Sequence, residues 1–88
     1  MNRIRCNKVD YRQGFIEVHT DIHDDCINLE IWQIDPGINI ENLGLSDGGV
    51  TDDDVTGNTE IELSLKNAEQ LITLLQNAIN DMKSDGSQ

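Results

Sequence analysis

Between Gln13 and Leu65 the chain has no lysine and no arginine. Those 53 residues carry thirteen of the seventeen acids, and the whole chain has a net charge of −11. Arg3, Arg5, Lys8 and Arg12 are confined to the first twelve residues. This gap excludes direct nucleic-acid binding and docking on an anionic membrane, because both polyanions would repel the chain. Aromatic side chains are nearly absent: Tyr11, Phe15 and Trp32 are the full set. An aromatic-rich core is therefore excluded, and the core must be aliphatic.

Other absences narrow the function. No apolar run approaches the roughly 20 residues that a membrane-spanning helix needs. The basic start "MNRIRCNKVD" has no apolar stretch behind it, so it does not read as a secretory signal, and a cytoplasmic protein is expected. Two cysteines, Cys6 and Cys26, are too few for a disulfide framework and fit reduced thiols in that compartment. There is no nucleophile elbow, no glycine-rich phosphate loop ahead of a helix, and no arguable Ser–His or Cys–His pair. The expectation is a non-enzyme without a cofactor.

What is present suffices for one small folded domain. Ile, Leu, Val and Phe make up 24 of the 88 residues, above the roughly one-fifth below which chains stay disordered. A chain of this length buries a modest share of its surface. Residues 1–83 are expected to form the domain, with 84–88 as a frayed tail. Strands are read at 3–9, at 14–20 ("GFIEVHT") and at 26–34 ("CINLEIWQI"), from period-2 alternation. "DIHDD" closes a hairpin of uncertain length, and "DPG" (Asp35–Gly37) is a turn. "INI" suits a short edge strand, residues through Asn58 read as loop, and "TEIELSL" is a further strand.

The C-terminal helix is the plainest element. Ser64 is an N-cap with Asn67 as its reciprocal partner. Ala68, Leu71, Ile72, Leu75, Ala78, Ile79 and Met82 form one apolar stripe at helical spacing. The predicted fold is α+β: an antiparallel sheet of three to five strands with one amphipathic helix packed on one face. That face would carry Ile4, Ile16, Val18, Ile27, Leu29, Ile31, Ile61 and Leu63. The other would carry Phe15, Glu17, His19, Asn28, Glu30, Trp32 and Ile34.

Two motifs invite a metal reading. "SDGGVTDDDVTGN" (Ser46–Asn58) contains D-x-D-x-T-G, which imitates the opening of a calcium loop. Such a loop needs a bidentate Glu at its twelfth position, and Leu63 stands there. "HTDIHDDC" offers His19, His23 and Cys26, with Cys6 distant, but the spacing matches no common zinc module. No metal is expected.

The acids then point to a partner. Clustered carboxylates repel and cost stability, a cost tolerated where the field is used. The leading expectation is a non-enzymatic acidic protein that binds a basic, nucleic-acid-binding surface of another protein and inhibits it. Phage anti-restriction and anti-CRISPR DNA mimics work in this way, and the analogy rests on charge and size. The contact residues would be Asp47, Asp52, Asp53, Asp54, Glu60 and Glu62, with Asp21, Asp24 and Asp25 at the other end. Glu30 belongs to the same surface, and Trp32 or Phe15 would serve as anchor. The competing expectation is a small structural or assembly protein that self-associates, as a homodimer, or docks on another protein through the uncovered sheet face around Trp32. A third outcome for Trp32 is a second small core beneath Ile38, Ile40, Leu43 or Leu45.

Overall fold

A computed structural model describes residues 2–9, 11–41 and 51–86. Asp47, Leu43 and Leu45 lie outside the described residues. The elements are β1 (Arg3–Cys6), β2 (Gln13–His19), β3 (Ile27–Ile34), β4 (Val55–Leu63) and α1 (Leu65–Gly86), with one 3-10 turn at Asp52–Asp54. The strands form one antiparallel sheet in the order β1-β2-β3-β4. This is the expected α+β class, a four-stranded sheet followed by one C-terminal helix.

β4 starts four residues earlier than the alternation suggests. Val55 pairs with Ile34, Gly57 pairs with Gln33, and the register shifts between them. The extra residue, Thr56, breaks the period-2 pattern, as a bulge does. The 3-10 turn leads into this strand. Thr51 Oγ1 donates to Asp54 Oδ2 at 3.1 Å, and the Asp54 amide donates to the Thr51 carbonyl at 3.0 Å.

Registers place Ile4, Ile16, Val18, Ile27, Leu29, Ile31, Ile61 and Leu63 on one face, as expected. The helix begins as the sequence indicates: Ser64 Oγ accepts from the Asn67 amide at 3.0 Å, and Asn67 Oδ1 accepts from the Ser64 amide at 3.2 Å. It then runs through Ser84 to Gly86. Its contact with the sheet is short. It packs chiefly against β4; Ala68 and Leu71 are half-buried, and every residue from Ile72 to Ser84 is exposed. Ser64 alone joins the edge strand to the helix. One residue is fewer than the two to six that usually turn a helix back over a sheet. The apolar face stays open: Ile4, Val18 and Ile61 are 59%, 40% and 61% exposed.

The buried core lies on the opposite face. Phe15, Ile34 and Ile40 form it, with Trp32, Ile38 and Val55 packed around them. The segment after β3 folds back to supply Ile38 and Ile40. Gln13, itself buried, holds that segment down: its Nε2 donates to the Asp35 and Ile38 carbonyls at 3.0 and 2.6 Å. The Asp35 amide donates to the Asp54 carbonyl at 2.8 Å, tying the turn to the start of β4. Gly14 allows β2 and β3 to close under this core, because a Cβ there would run into the Trp32 carbonyl.

Candidate partner-binding face

The core fills one end of this face, and charged residues fill the rest. Pairing registers put Glu17, Glu30 and Glu60 side by side on β2, β3 and β4. The next row is His19, Asn28 and Glu62. Neighbouring strands lie about 4.8 Å apart, so three carboxylates stand in register across the sheet. Like charges placed opposite each other on adjacent strands destabilise a sheet.

The row is neutralised unevenly. On the β1 side, Arg3 Nε donates to Glu17 Oε2 at 2.6 Å, and its Nη2 makes an ion pair with the same oxygen. The guanidinium also sits 4.9 Å from the centroid of the Phe15 ring. His19 Nε2 lies 3.0 Å from Glu17 Oε1 and 3.7 Å from Glu30 Oε1. Burial alone would raise the pKa of Glu17. Hydrogen bonding from His19 and Arg3, the nearby Trp32 indole N–H and the Arg3 charge outweigh it and hold the carboxyl below its ordinary value. The indole faces Glu17 closely enough to favour its charge, yet Nε1 completes no hydrogen bond among the described residues.

Toward β4 the compensation runs out. Asn58 Nδ2 donates to Glu30 Oε2 at 3.0 Å, and Asn28 Nδ2 donates to Glu62 Oε1 at 2.7 Å. These bonds hold the carboxylates in place and leave their charge. His23 Nε2 stands 3.9 Å from Glu62 Oε1. Glu60 is exposed and has no hydrogen bond or ion pair among the described residues. The sheet thus carries a charge gradient, with Arg3, Arg5, Lys8 and Arg12 at the β1 edge and Glu60 and Glu62 at the β4 edge.

The expected contact residues divide into three groups. Asp52, Asp53 and the half-buried Asp54 lead into β4 at one end of the sheet, and the exposed Asp21, Asp24 and Asp25 form the β2–β3 turn at the other. Glu30, Glu60 and Glu62 lie between them. Asp54 is occupied, since its Oδ2 also accepts from the Thr51 amide at 3.1 Å. Phe15 is 3% exposed and is a core residue, so it offers no anchor. Trp32 is half-buried in the same core. Of the outcomes foreseen for Trp32, the small second core is the one found, supplied by Ile38 and Ile40.

Glu17, His19 and Glu30 bring one donor atom each within 4.8 Å of one another, and could between them hold a cation. The cysteines take no part in this cluster. Cys6 is exposed on the β1 strand and Cys26 is half-buried, both as free thiols. The sequence offers His19 only as a zinc ligand beside His23 and Cys26, and marks neither Glu17 nor Arg3 as a site residue. The alternation in "GFIEVHT" put Glu17 and His19 on this face, but their neighbours depend on strand register. No protein-family model matches the chain, and no curated protein or solved structure is significantly similar to it.

Proposed function

We propose that this chain is a non-enzymatic interaction protein whose acidic sheet face binds a basic surface on a partner protein. The observation that carries this reading is the in-register row of Glu17, Glu30 and Glu60, with Glu62 beside it. Charged residues on an exposed edge strand can serve only to block edge pairing. That reason covers Glu60 and Glu62, but Glu17 and Glu30 sit on interior strands of the sheet. A guanidinium or ammonium from a partner would relieve the repulsion at the β4 end, where Glu60 has no hydrogen bond or ion pair among the described residues.

The extent of the acidic strip suggests the class of partner. From the Asp52–Asp53 turn along β4 to the Asp24–Asp25 turn is about nine strand residues, or roughly 30 Å. Asp21, Asp24, Asp25, Asp52, Asp53, Glu30, Glu60 and Glu62 are spread along it, about one charge per 3–4 Å. A single strand of B-DNA presents one per 3.4 Å. The surface suited to such a strip is that of a nucleic-acid-binding protein, and its occupation would exclude the nucleic acid. Inhibition is the consequence.

Immobilised chain tests this. At low salt the wild type should retain basic proteins from a cell lysate and release them as salt rises. The triple variant Glu30→Gln, Glu60→Gln, Glu62→Gln should retain none of them. Retention of the same proteins by the triple variant would refute the reading.

A further inference from the structure

The acidic face and its small core leave the other side of the molecule unexplained. The strands place no charged residue on the open sheet face: Ile4, Val18, Ile31 and Ile61 are its exposed apolar members, and Cys6, Gln33 and Thr59 are its polar ones. The helix presents a second bare surface. Ile72, Leu75, Ile79 and Met82 are 66%, 54%, 43% and 74% exposed, all on one stripe. In an isolated chain both surfaces face water, although each has the composition of a domain interior.

The magnitude is large for a chain this small. A folded monomer of 9.9 kDa is expected to expose about 5,200 Å². This chain exposes 6815 Å², an excess of about 1,600 Å². Its radius of gyration is 15.0 Å, against about 12 Å for a compact domain of this length. A standard stable interface takes about 800 Å² from each partner. The excess is large enough to include a contact of that size.

We propose that the occupant is a second copy of this chain, and that the two copies exchange helices. The apolar stripe of each α1 lies across the uncharged sheet face of the other. Three points favour a second copy. Stripe and face are complementary, and both belong to the same chain, so a two-fold operation satisfies all four surfaces with one kind of contact. The stripe from Ala68 to Met82 is about 21 Å long, and a four-stranded sheet offers about 26 by 14 Å. A contact through the uncharged sheet face buries none of the carboxylates that give the chain its net charge of −11. In such a dimer the two acidic faces point outward, away from the shared core. The dimer stands independently of the acidic-face reading, because no residue is common to the two surfaces.

Sedimentation and light scattering on the full chain test the proposal. At micromolar concentration the mass should be twice 9.9 kDa. Ile61→Glu on the sheet face and Leu75→Glu on the helix should each reduce it to that of one chain. Both side chains are exposed within one chain, so circular dichroism should still report the sheet and the helix. Mixing the two variants should restore part of the dimer, since a sound helix from one meets a sound face on the other. A monomeric wild type, a dimer that survives both substitutions, or no recovery on mixing overturns the helix exchange. A wild type that is monomeric when pure and dimeric in mass only with a different protein would assign the face to that protein instead.

Discussion

Glu60→Gln should make the protein more stable. Glu60 stands opposite Glu30, and Glu30 stands opposite Glu17. The substitution keeps the shape and removes one charge, and it breaks nothing, since Glu60 has no hydrogen bond or ion pair among the described residues. At a separation of about 5–6 Å, Coulomb's law gives roughly 0.7–3 kcal/mol of repulsion for effective dielectrics from 80 to 20. Measured cross-strand charge effects are about 0.2–1 kcal/mol, and the lower end of the Coulomb range applies to an exposed residue. A gain of about 0.5–1 kcal/mol corresponds to a rise in Tm of roughly 2–8 °C for a domain of this size. Thermal unfolding at low salt measures it. In 1 M salt, where the screening length is about 3 Å, the gain should shrink toward zero. A fall in Tm, or a gain that persists in 1 M salt, would refute the claim that the row is repulsive. A variant that is both more stable and unable to bind is the pattern expected of a binding site maintained against the stability of the fold.

Three further outcomes follow from the packing and the charges. Ile40→Ala should cost about 2–4 kcal/mol, because Ile40 is 1% exposed and closes the core over Phe15 and Ile34; chemical denaturation followed by Trp32 fluorescence reads the loss, and an unchanged midpoint would show that the segment after β3 does not cover this face. Gly14→Ala should prevent folding, because the new methyl meets backbone at Trp32, whereas Gly57→Ala should be tolerated, because the group in its way is the movable Gln33 side chain; soluble yield and circular dichroism separate the two. Glu17 has a folded-state pKa below its ordinary value of 4.5, so its contribution to stability is complete above that value and is lost as pH falls through the lowered one. Arg3→Gln removes one cause of the shift, and acid unfolding should then begin at higher pH; an unchanged acid midpoint would show that Arg3 does not hold Glu17 ionised.

The parts of this architecture that are legible in the sequence are the local ones. Alternation in "GFIEVHT" and "CINLEIWQI" fixes which residues share a face, because side chains on a strand repeat every two positions. The Ser64–Asn67 box and the stripe from Ala68 to Met82 fix the helix, because both are local. The choice of face to be covered is not local. It depends on the one-residue connection at Ser64, which starts the helix at the sheet margin, and on the Gln13 amide, which fastens the Asp35–Ile38 turn over the opposite face. The start of β4 is hidden by the bulge at Thr56 and by the glycine after it. The glutamate row is hidden for a related reason. Glu17 meets Glu30 only because the β2–β3 connection has its particular length, and a slip of one residue would put every side chain on the other face.

Competition for the partner tests the functional claim most directly. A protein recovered on the immobilised chain is purified and bound to its nucleic acid, and the free chain is titrated in at physiological salt. If the acidic face is the binding site, the chain displaces the nucleic acid and the variant neutralised at Glu30, Glu60 and Glu62 does not. A ternary complex of partner, nucleic acid and chain, or displacement by the neutralised variant at wild-type concentrations, would contradict it.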